Sequence, residues 1–528
     1  MSAKATRTPF HFSTSLVALG VRSEQSIARH ERKYLLFALA VFTLFALYHA
    51  LITPLWFDEL FTLFISRLSS LQEMLRAMPS DGQPPLQYLL THISLRLLGE
   101  SAFALRVPEI IATITAGWMT YKIVRRHGTA IQALFALVMM LGAILIMYQA
   151  YTARPYGLLL AFTALTFYSW QTASLRQHHR LLPLCGVAMG IAGAILSHHF
   201  GLVHVGLFLA AGEGARFIQR HRLDVWLLSA MVTGLAPLAL TLPLAHISHT
   251  VLGEAVLHST NFWAKPSAID LLWYSGMISL PLLYLFAIFA FLPWPKRPDD
   301  GKISSLLQVP FHEWTAMYAL CLLLPVVILL TVFKTGNFQP KYAISTSLGL
   351  ALFSGWALPR FAPRQINIQP LLALSSVCCL LLMAMTLFLE NMHLPIWKAQ
   401  PGTIAVSPVL LNASAGFPIV VANAYDYAPE WWYAPPSVQQ RLIYLSDVAY
   451  AERQPDFLPE LSLATSQDYI PLRVTAYAPF VSSHATFLLL DSGLPRLTWV
   501  VPRLANAGWR LTPIAKSGKD VLYRVDRP

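Results

Sequence analysis

Residues 56–99 read WFDELFTLFISRLSSLQEMLRAMPSDGQPPLQYLLTHISLRLLG. The stretch follows an apolar run at 34–53 that is long enough to span a bilayer, for which roughly 20 residues are needed. It is itself too polar and too often broken to span again. Asp58 and Glu59 stand at the outer end of the first run. Leu68, Leu71, Leu75 and Met78 then share one helical face, Ser70 and Glu73 form a capping-box pattern, and Pro79 stops the segment. A second segment opens near Pro85, ends at Gly99, and carries an apolar stripe of Leu86, Leu89, Leu90, Ile93 and Leu97. Both predict short helices lying on the membrane surface, bracketing the polar turn Asp81-Gly82-Gln83. A loop that keeps two helices at the interface suggests a roof over an entrance from the lipid.

Outward from this loop, apolar runs recur at 104–124, 130–148, 156–174, 182–197, 201–215, 225–245, 271–293, 314–333, 342–358 and 368–389. With 34–53 they predict about eleven transmembrane helices, within a range of roughly ten to thirteen. The 528 residues are 55% hydrophobic and 12% charged, with a mean hydropathy of +0.53. A soluble domain carries about 25% charged residues, so most of this surface faces lipid. The net charge of +12 does not point to nucleic acid, because the basic residues lie in short clusters between apolar runs.

Those clusters set the orientation. Lys122/Arg125/Arg126, Arg176/Arg180, Arg216/Arg220/Arg222, Lys296/Arg297/Lys302 and Arg360/Arg364 fall in alternate loops, on the side of the basic N-terminus. The positive-inside rule makes that side cytoplasmic. Residues 1–33 are then a cytoplasmic segment, 34–390 a transmembrane domain with its first outward loop at 54–103, and 391–528 lie outside the cell (inner) membrane. The run at 34–53 has no cleavage pattern and reads as a signal anchor. The last region holds short β-branched and aromatic runs such as PIVVANAYDY, RLIYLSD, ATFLLLD and DVLYRVD between turn residues, and predicts a small α/β domain. Cys185, Cys321, Cys378 and Cys379 lie in apolar segments and act as small hydrophobes. No sequence repeat is visible, and the two halves of the membrane region show no matching broken helices.

Several polar residues sit at outward helix ends. Asp58, Glu59 and Asp81 read either as interface markers and a solvated turn residue or as acid–base groups, since a carboxylate near lipid can take a proton from a hydroxyl. Arg154, in YTARPYG, and Lys334 and Lys341, in FKTGNFQPKY, are on the wrong side for the positive-inside rule. Cations placed there call for partners, either the acidic residues or a lipid phosphate. His198 and His199, in LSHHFG, are either polar filler or a weak metal or hydrogen-bond signal. Trp431 and Trp432 read as core or interface anchors rather than sugar-stacking rings.

Trp56-Phe57-Asp58-Glu59, Asp81-Gly82-Gln83-Pro84-Pro85-Leu86-Gln87-Tyr88-Leu89-Leu90 and Gly99-Glu100-Ser101-Ala102-Phe103-Ala104-Leu105-Arg106-Val107-Pro108 closely resemble the first-loop signature of one family. It is the bacterial branch of the dolichyl-phosphate-mannose–protein mannosyltransferase-like family, which has the GT-C fold and includes the aminoarabinose transferase of lipid A. Ala153-Arg154-Pro155-Tyr156-Gly157 and Pro340-Lys341-Tyr342 resemble later landmarks. The resemblance covers about residues 34–360. It implies an inverting transfer from a polyprenyl-phosphate sugar to a hydroxyl of a cell-envelope acceptor, with Asp58 as the acidic motif, Glu59 beside it and Asp81 as the second acidic position. Arg154, Tyr156, Lys334, Lys341 and Tyr342 form the expected donor-phosphate group. Lys341 stands where the family commonly has arginine, which keeps the charge and loses bidentate binding. The C-terminal region does not carry the family pattern.

The chemistry asks for little more. A phosphate monoester, with a second pKa of about 6, leaves without an obligatory general acid. It needs cations for the developing charge and one base, for which Asp58 is the choice. No cofactor is required by any motif, although a divalent metal could sit between Asp58 and Asp81. The alternative is a transporter or flippase for lipid-linked sugars, which would place ionisable residues near the bilayer midplane and often shows paired broken helices.

Overall fold

The computed structural model describes residues 11–176, 178–259, 262–274, 276, 287, 289–292, 294–295, 308–361, 366–391, 406–411, 413–414, 416–493 and 498–528. Most of the expected span at 271–293, the basic residues Lys296, Arg297, Lys302 and Arg364, and the first ten residues lie outside them.

The molecule is mostly helical. Helices Glu31–Ile52, Ala102–Arg125, Ala130–Leu141, Tyr156–Leu175, Leu181–Ser197, Gly201–Arg220 and Gln369–Asn391 stand where apolar runs occur in the sequence. Judged by length and composition among the described residues, three helices could cross a membrane alone: Glu31–Ile52, Gly201–Arg220 and Gln369–Leu387. Two bent pairs raise this to five, Val225–Gly234 with Leu238–Leu257 at 40° and Phe311–Cys321 with Leu323–Thr335 at 47°. Pro237 and Pro325 account for the bends, since each removes a donor and crowds the carbonyl four residues back. Both bends lie in the second half of the helical region, so they are not a matched pair across the two halves. Other long helices carry polar groups that face the interior rather than lipid: Thr163, Thr166 and Gln171 on Tyr156–Leu175 are fully buried.

The described basic clusters knit one end of the bundle. Arg125 pairs with Glu31 at 2.8 Å, Arg126 donates to Thr172 at 2.8 Å, and Arg180 and Arg216 share Asp224. This end is opposite the first loop, as Arg125 and Arg106 lie at opposite ends of one helix.

A helix, His11–Arg29, precedes the first apolar run, and the helix of that run, Glu31–Ile52, stops at Ile52, with Thr53 extended and Pro54 next. Asp58 and Glu59 therefore do not extend that helix: they occupy the first turn of a separate one, Phe57–Ser66. The next helix, Leu71–Ala77, has the capping box written in its sequence, with the Ser70 hydroxyl accepting from the Glu73 N–H at 3.2 Å and Glu73 accepting from the Ser70 N–H at 3.3 Å. Helix Leu86–Leu98 starts after Pro85 and ends at Gly99, whose φ of 81° suits glycine. Its apolar stripe points outward, Ile93 being 52% and Leu97 77% exposed, while Gln87, Tyr88, Thr91 and Ser94 are buried.

Residues 406–528 carry a six-stranded sheet in the order β3-β2-β1-β4-β6-β5, formed by Ile419–Val421 (β1), Leu442–Ser446 (β2), Val474–Ala476 (β3), Thr486–Asp491 (β4), Arg510–Ser517 (β5) and Asp520–Asp526 (β6). The first four strands are parallel, and β6 and β5 add antiparallel. Helices Ala424–Tyr433, Leu458–Thr465 and Tyr477–Ser483 connect the parallel strands. The sheet region rests on the first loop: Phe64 packs edge-on against Trp431 and Trp432, Arg67 lies over Trp432 at 5.2 Å, and Leu55 N–H donates to the Tyr433 hydroxyl at 2.7 Å.

Candidate functional site

A cavity of about 720 Å³ lies between the first loop, the helix ends beside it and the sheet region. Trp56, Asp58, Asp81, Gln83, Arg154, Tyr156, His198, His199, Lys341 and Tyr342 face it from the helical side. Eight of the ten site residues singled out in the sequence line it, and Glu59 and Lys334 do not.

Asp58 lies in the first turn of Phe57–Ser66. One of its oxygens is 3.7 Å from Arg154 Nε and 3.9 Å from Lys341 Nζ. Neither contact is a close hydrogen bond, and the side chain keeps 21% exposure on the cavity. Asp81 is held differently. Arg154 Nη1 donates to both its oxygens at 3.0 and 2.7 Å, the Tyr88 hydroxyl donates at 2.5 Å, and exposure falls to 8%. The turn that presents it requires Gly82 at φ 72°. A carboxylate pinned by three hydrogen bonds orients a cation; a carboxylate with loosely placed cations is free to take a proton.

Glu59 does not line the cavity. It accepts from Arg106 Nε and Nη2 at 2.7 Å each and from Ala153 N–H at 2.8 Å, and both partners of the pair are 1% exposed. Arg106 also donates to the carbonyls of Ala50, Thr53 and Pro54. This bridge joins the end of helix Glu31–Ile52, the first loop and the Arg154 turn at one point. Gly157 lets that turn close on helix Ala102–Arg125: a Cβ there would sit 2.6 Å from Glu109 Oε2 and 2.7 Å from Thr113 Oγ1.

Lys341 is stacked between rings, its Nζ lying 5.7 Å from the Trp56 and 5.3 Å from the Tyr156 ring centres. Burial pushes its ammonium down to about 8, against the opposing pull of Asp58. Tyr156, Tyr342 and His198 form an aromatic wall, with His198 5.4 Å from each tyrosine. Burial holds His198 and His199 well down, the latter at about 4, so both are neutral at physiological pH. Lys334 is exposed and does not line the cavity. Among the described residues no three His, Cys, Asp or Glu side chains are arranged to hold a metal ion.

Sequence reading did not find the opposite wall. Asn423, Tyr425, Asp426, Asp456 and Ser462 face the cavity from the sheet region, and Trp263 from the chain after the bent helix. The available signal was PIVVANAYDY, where a buried strand gives way abruptly to Asn and Asp.

Residues 82–239 match the family model described as dolichyl-phosphate-mannose-protein mannosyltransferase. The structure is similar to ArnT from Cupriavidus metallidurans bound to undecaprenyl phosphate, with a TM-score of 0.58 and 14% identity over 93% of this chain and 97% of that one. The same protein in the apo state gives the same score, with 98% of it covered. The chain has the GT-C fold. Comparison with curated proteins gives no match. At 14% identity the shared GT-C architecture says nothing of substrate, so that question falls to the cavity itself.

Proposed function

We propose that this chain is a membrane glycosyltransferase that moves a sugar from a polyprenyl-phosphate donor to a hydroxyl acceptor, on the extracytoplasmic side and with inversion. The observation that carries the reading is Asp58, open to a 720 Å³ cavity with Arg154 and Lys341 within 3.7 and 3.9 Å. The donor's phosphate would lie on the two cations at the helix ends while its chain stays in lipid. Asp58 takes the proton of the acceptor hydroxyl as its oxygen bonds to the anomeric carbon. The anomeric C–O bond to phosphate breaks, and its electron pair leaves on the phosphate, where Arg154 and Lys341 balance the charge. Arg154 is kept in place by Asp81, and Asp58 by the Glu59–Arg106 bridge. Tyr156 and Tyr342 shield the cations. The test is turnover of polyprenyl-phosphate monosaccharides by purified protein, with and without Asp58.

The mechanism assigns no metal. Arg154 lies between the two carboxylates, hydrogen-bonded to Asp81 and 3.7 Å from Asp58, so a divalent cation would face a guanidinium and an ammonium at once. EDTA should therefore lower the rate by less than about twofold. A loss that magnesium or manganese restores would show that a metal shares the site.

The pH response follows from Lys341. Its pKa of about 8 in the free cavity means that the cation is lost as pH rises through 8. Binding an anion favours the protonated form, so affinity for polyprenyl phosphate should be greatest below 8 and fall by up to about tenfold per pH unit above it. Lys341→Arg, which stays charged, should flatten that fall. Titrations of wild type and variant that superimpose from pH 7 to 10 would remove Lys341 from the phosphate site.

A further inference from the structure

The two cations of the cavity sit on one side, where Asp58 and Asp81 pair with them. The cavity's only lysine and arginine, among the described lining residues, are Arg154 and Lys341 on the helical side. The sheet side has Asp426 and Asp456, with no cation in the lining. Asp456 accepts from the Tyr425 hydroxyl at 3.5 Å and is also bonded by the Trp263 side chain; burial and then the facing Asp58 hold its carboxyl near 6, so it is ionised at pH 7.5. Asp426 accepts from Asn423 Nδ2 at 2.9 Å. Tyr425 packs against Phe57, the neighbour of Asp58, with ring centres 5.3 Å apart.

Sheet topology gives an independent reason to expect a ligand there. The chain runs from β1 to β2 and β3 on one side, then crosses to β4 on the other. The switch point between β1 and β4 leaves a crevice beyond the strands' carboxyl ends, where open parallel sheets bind their ligands. Asn423, Tyr425 and Asp426 directly follow β1, and Asp456 lies in the connection after β2. These residues line the cavity that holds Asp58.

We propose that Asp456, Asp426 and Tyr425, with the Trp263 ring beside them, form the acceptor subsite, and that it takes a neutral or cationic sugar-like acceptor and rejects an anionic one. The assignment to the acceptor rests on the transferase reading, in which the donor phosphate lies on Arg154 and Lys341. The carboxylates accept hydrogen bonds from hydroxyl or ammonium groups, and the indole offers an apolar face to a ring. An acceptor carrying phosphate or carboxylate would meet two like charges in a partly enclosed space.

The experiment measures dissociation constants at pH 7.5 by saturation-transfer NMR, using the full chain in lipid nanodiscs. The probes are methyl glucoside, methyl glucosaminide and methyl glucuronide. The glucuronide should bind at least about tenfold more weakly than the other two. Asp426→Asn with Asp456→Asn should erase that difference, weakening the glucosaminide and strengthening the glucuronide, a gain that misfolding cannot produce. Equal affinities in the wild type, no binding of any probe, or a preference that the variants leave intact would each overturn the proposal. Donor turnover is measured separately. Binding in the expected order without consumption of any polyprenyl-phosphate sugar would uphold the charge preference and sink the transferase reading, so the two fail distinguishably.

Discussion

Asp58→Asn should lower the rate of sugar transfer by about a thousandfold while leaving the protein folded and able to bind polyprenyl phosphate. A positioned general base contributes roughly 10²–10⁴ in rate, and the cavity-facing carboxyls on the sheet side are not held between the two cations. The asparagine keeps the shape but removes one negative charge from beside Arg154 and Lys341. The phosphate then competes with less internal charge, so its affinity should stay the same or rise. Lost kcat with unchanged KM is the signature of an interaction made in the transition state, and a lower KM would add the relief of ground-state competition for the cations. The comparison uses purified wild type and variant with a panel of polyprenyl-phosphate monosaccharides, alongside binding of the free lipid phosphate. Full activity in the variant would end the role of Asp58 as base. Weakened phosphate binding would instead make it a structural partner of the cations.

Much of the loop that bears Asp58 could be read directly, because its signals are local. Ser70 with Glu73, Pro85 and Gly99 each act within one helical turn, and each marks an element end in the structure. The helix Phe57–Ser66 was hidden because FTLFIS is as apolar as the run before it; only Pro54 and the extended Thr53 separate the two. The leucine stripe of Leu86–Leu98 was visible, but its direction was not, since periodicity does not say whether lipid or protein lies opposite. Arg154 and Lys341 stood out through the charge rule, and they meet at Asp58. Lys334 breaks the same rule and yet does not line the cavity, because the rule locates a side of the membrane and not a direction around a helix. Glu59 looked identical to Asp58 in sequence. Its partner Arg106 is 47 residues on, and nothing local announces that pairing. The acidic wall was least legible of all, since Tyr425 and Asp456 reach Asp58 only through the docking of a sheet whose strands close over long separations.

That hidden pairing carries the second large effect. Glu59→Ala or Arg106→Ala should each destabilise the protein by about 3–5 kcal/mol, the usual consequence of leaving one member of a buried ion pair uncompensated. Set against a typical total of about 5–15 kcal/mol, such a loss should be visible as reduced accumulation in the membrane and an earlier thermal transition in detergent. Arg106 is the more sensitive member, as its guanidinium also satisfies the carbonyls of Ala50, Thr53 and Pro54 where helix Glu31–Ile52 ends. The double variant Glu59→Gln with Arg106→Met removes both charges together, and it should recover part of the stability lost by either alanine variant, because no naked charge remains inside. Activity should track the folded fraction in the alanine variants: the bridge positions Asp58 and Arg154 but does not touch the cavity. An Arg106→Ala protein with wild-type thermal stability and no turnover would reverse this assignment, and would move Arg106 from holding the site to working in it.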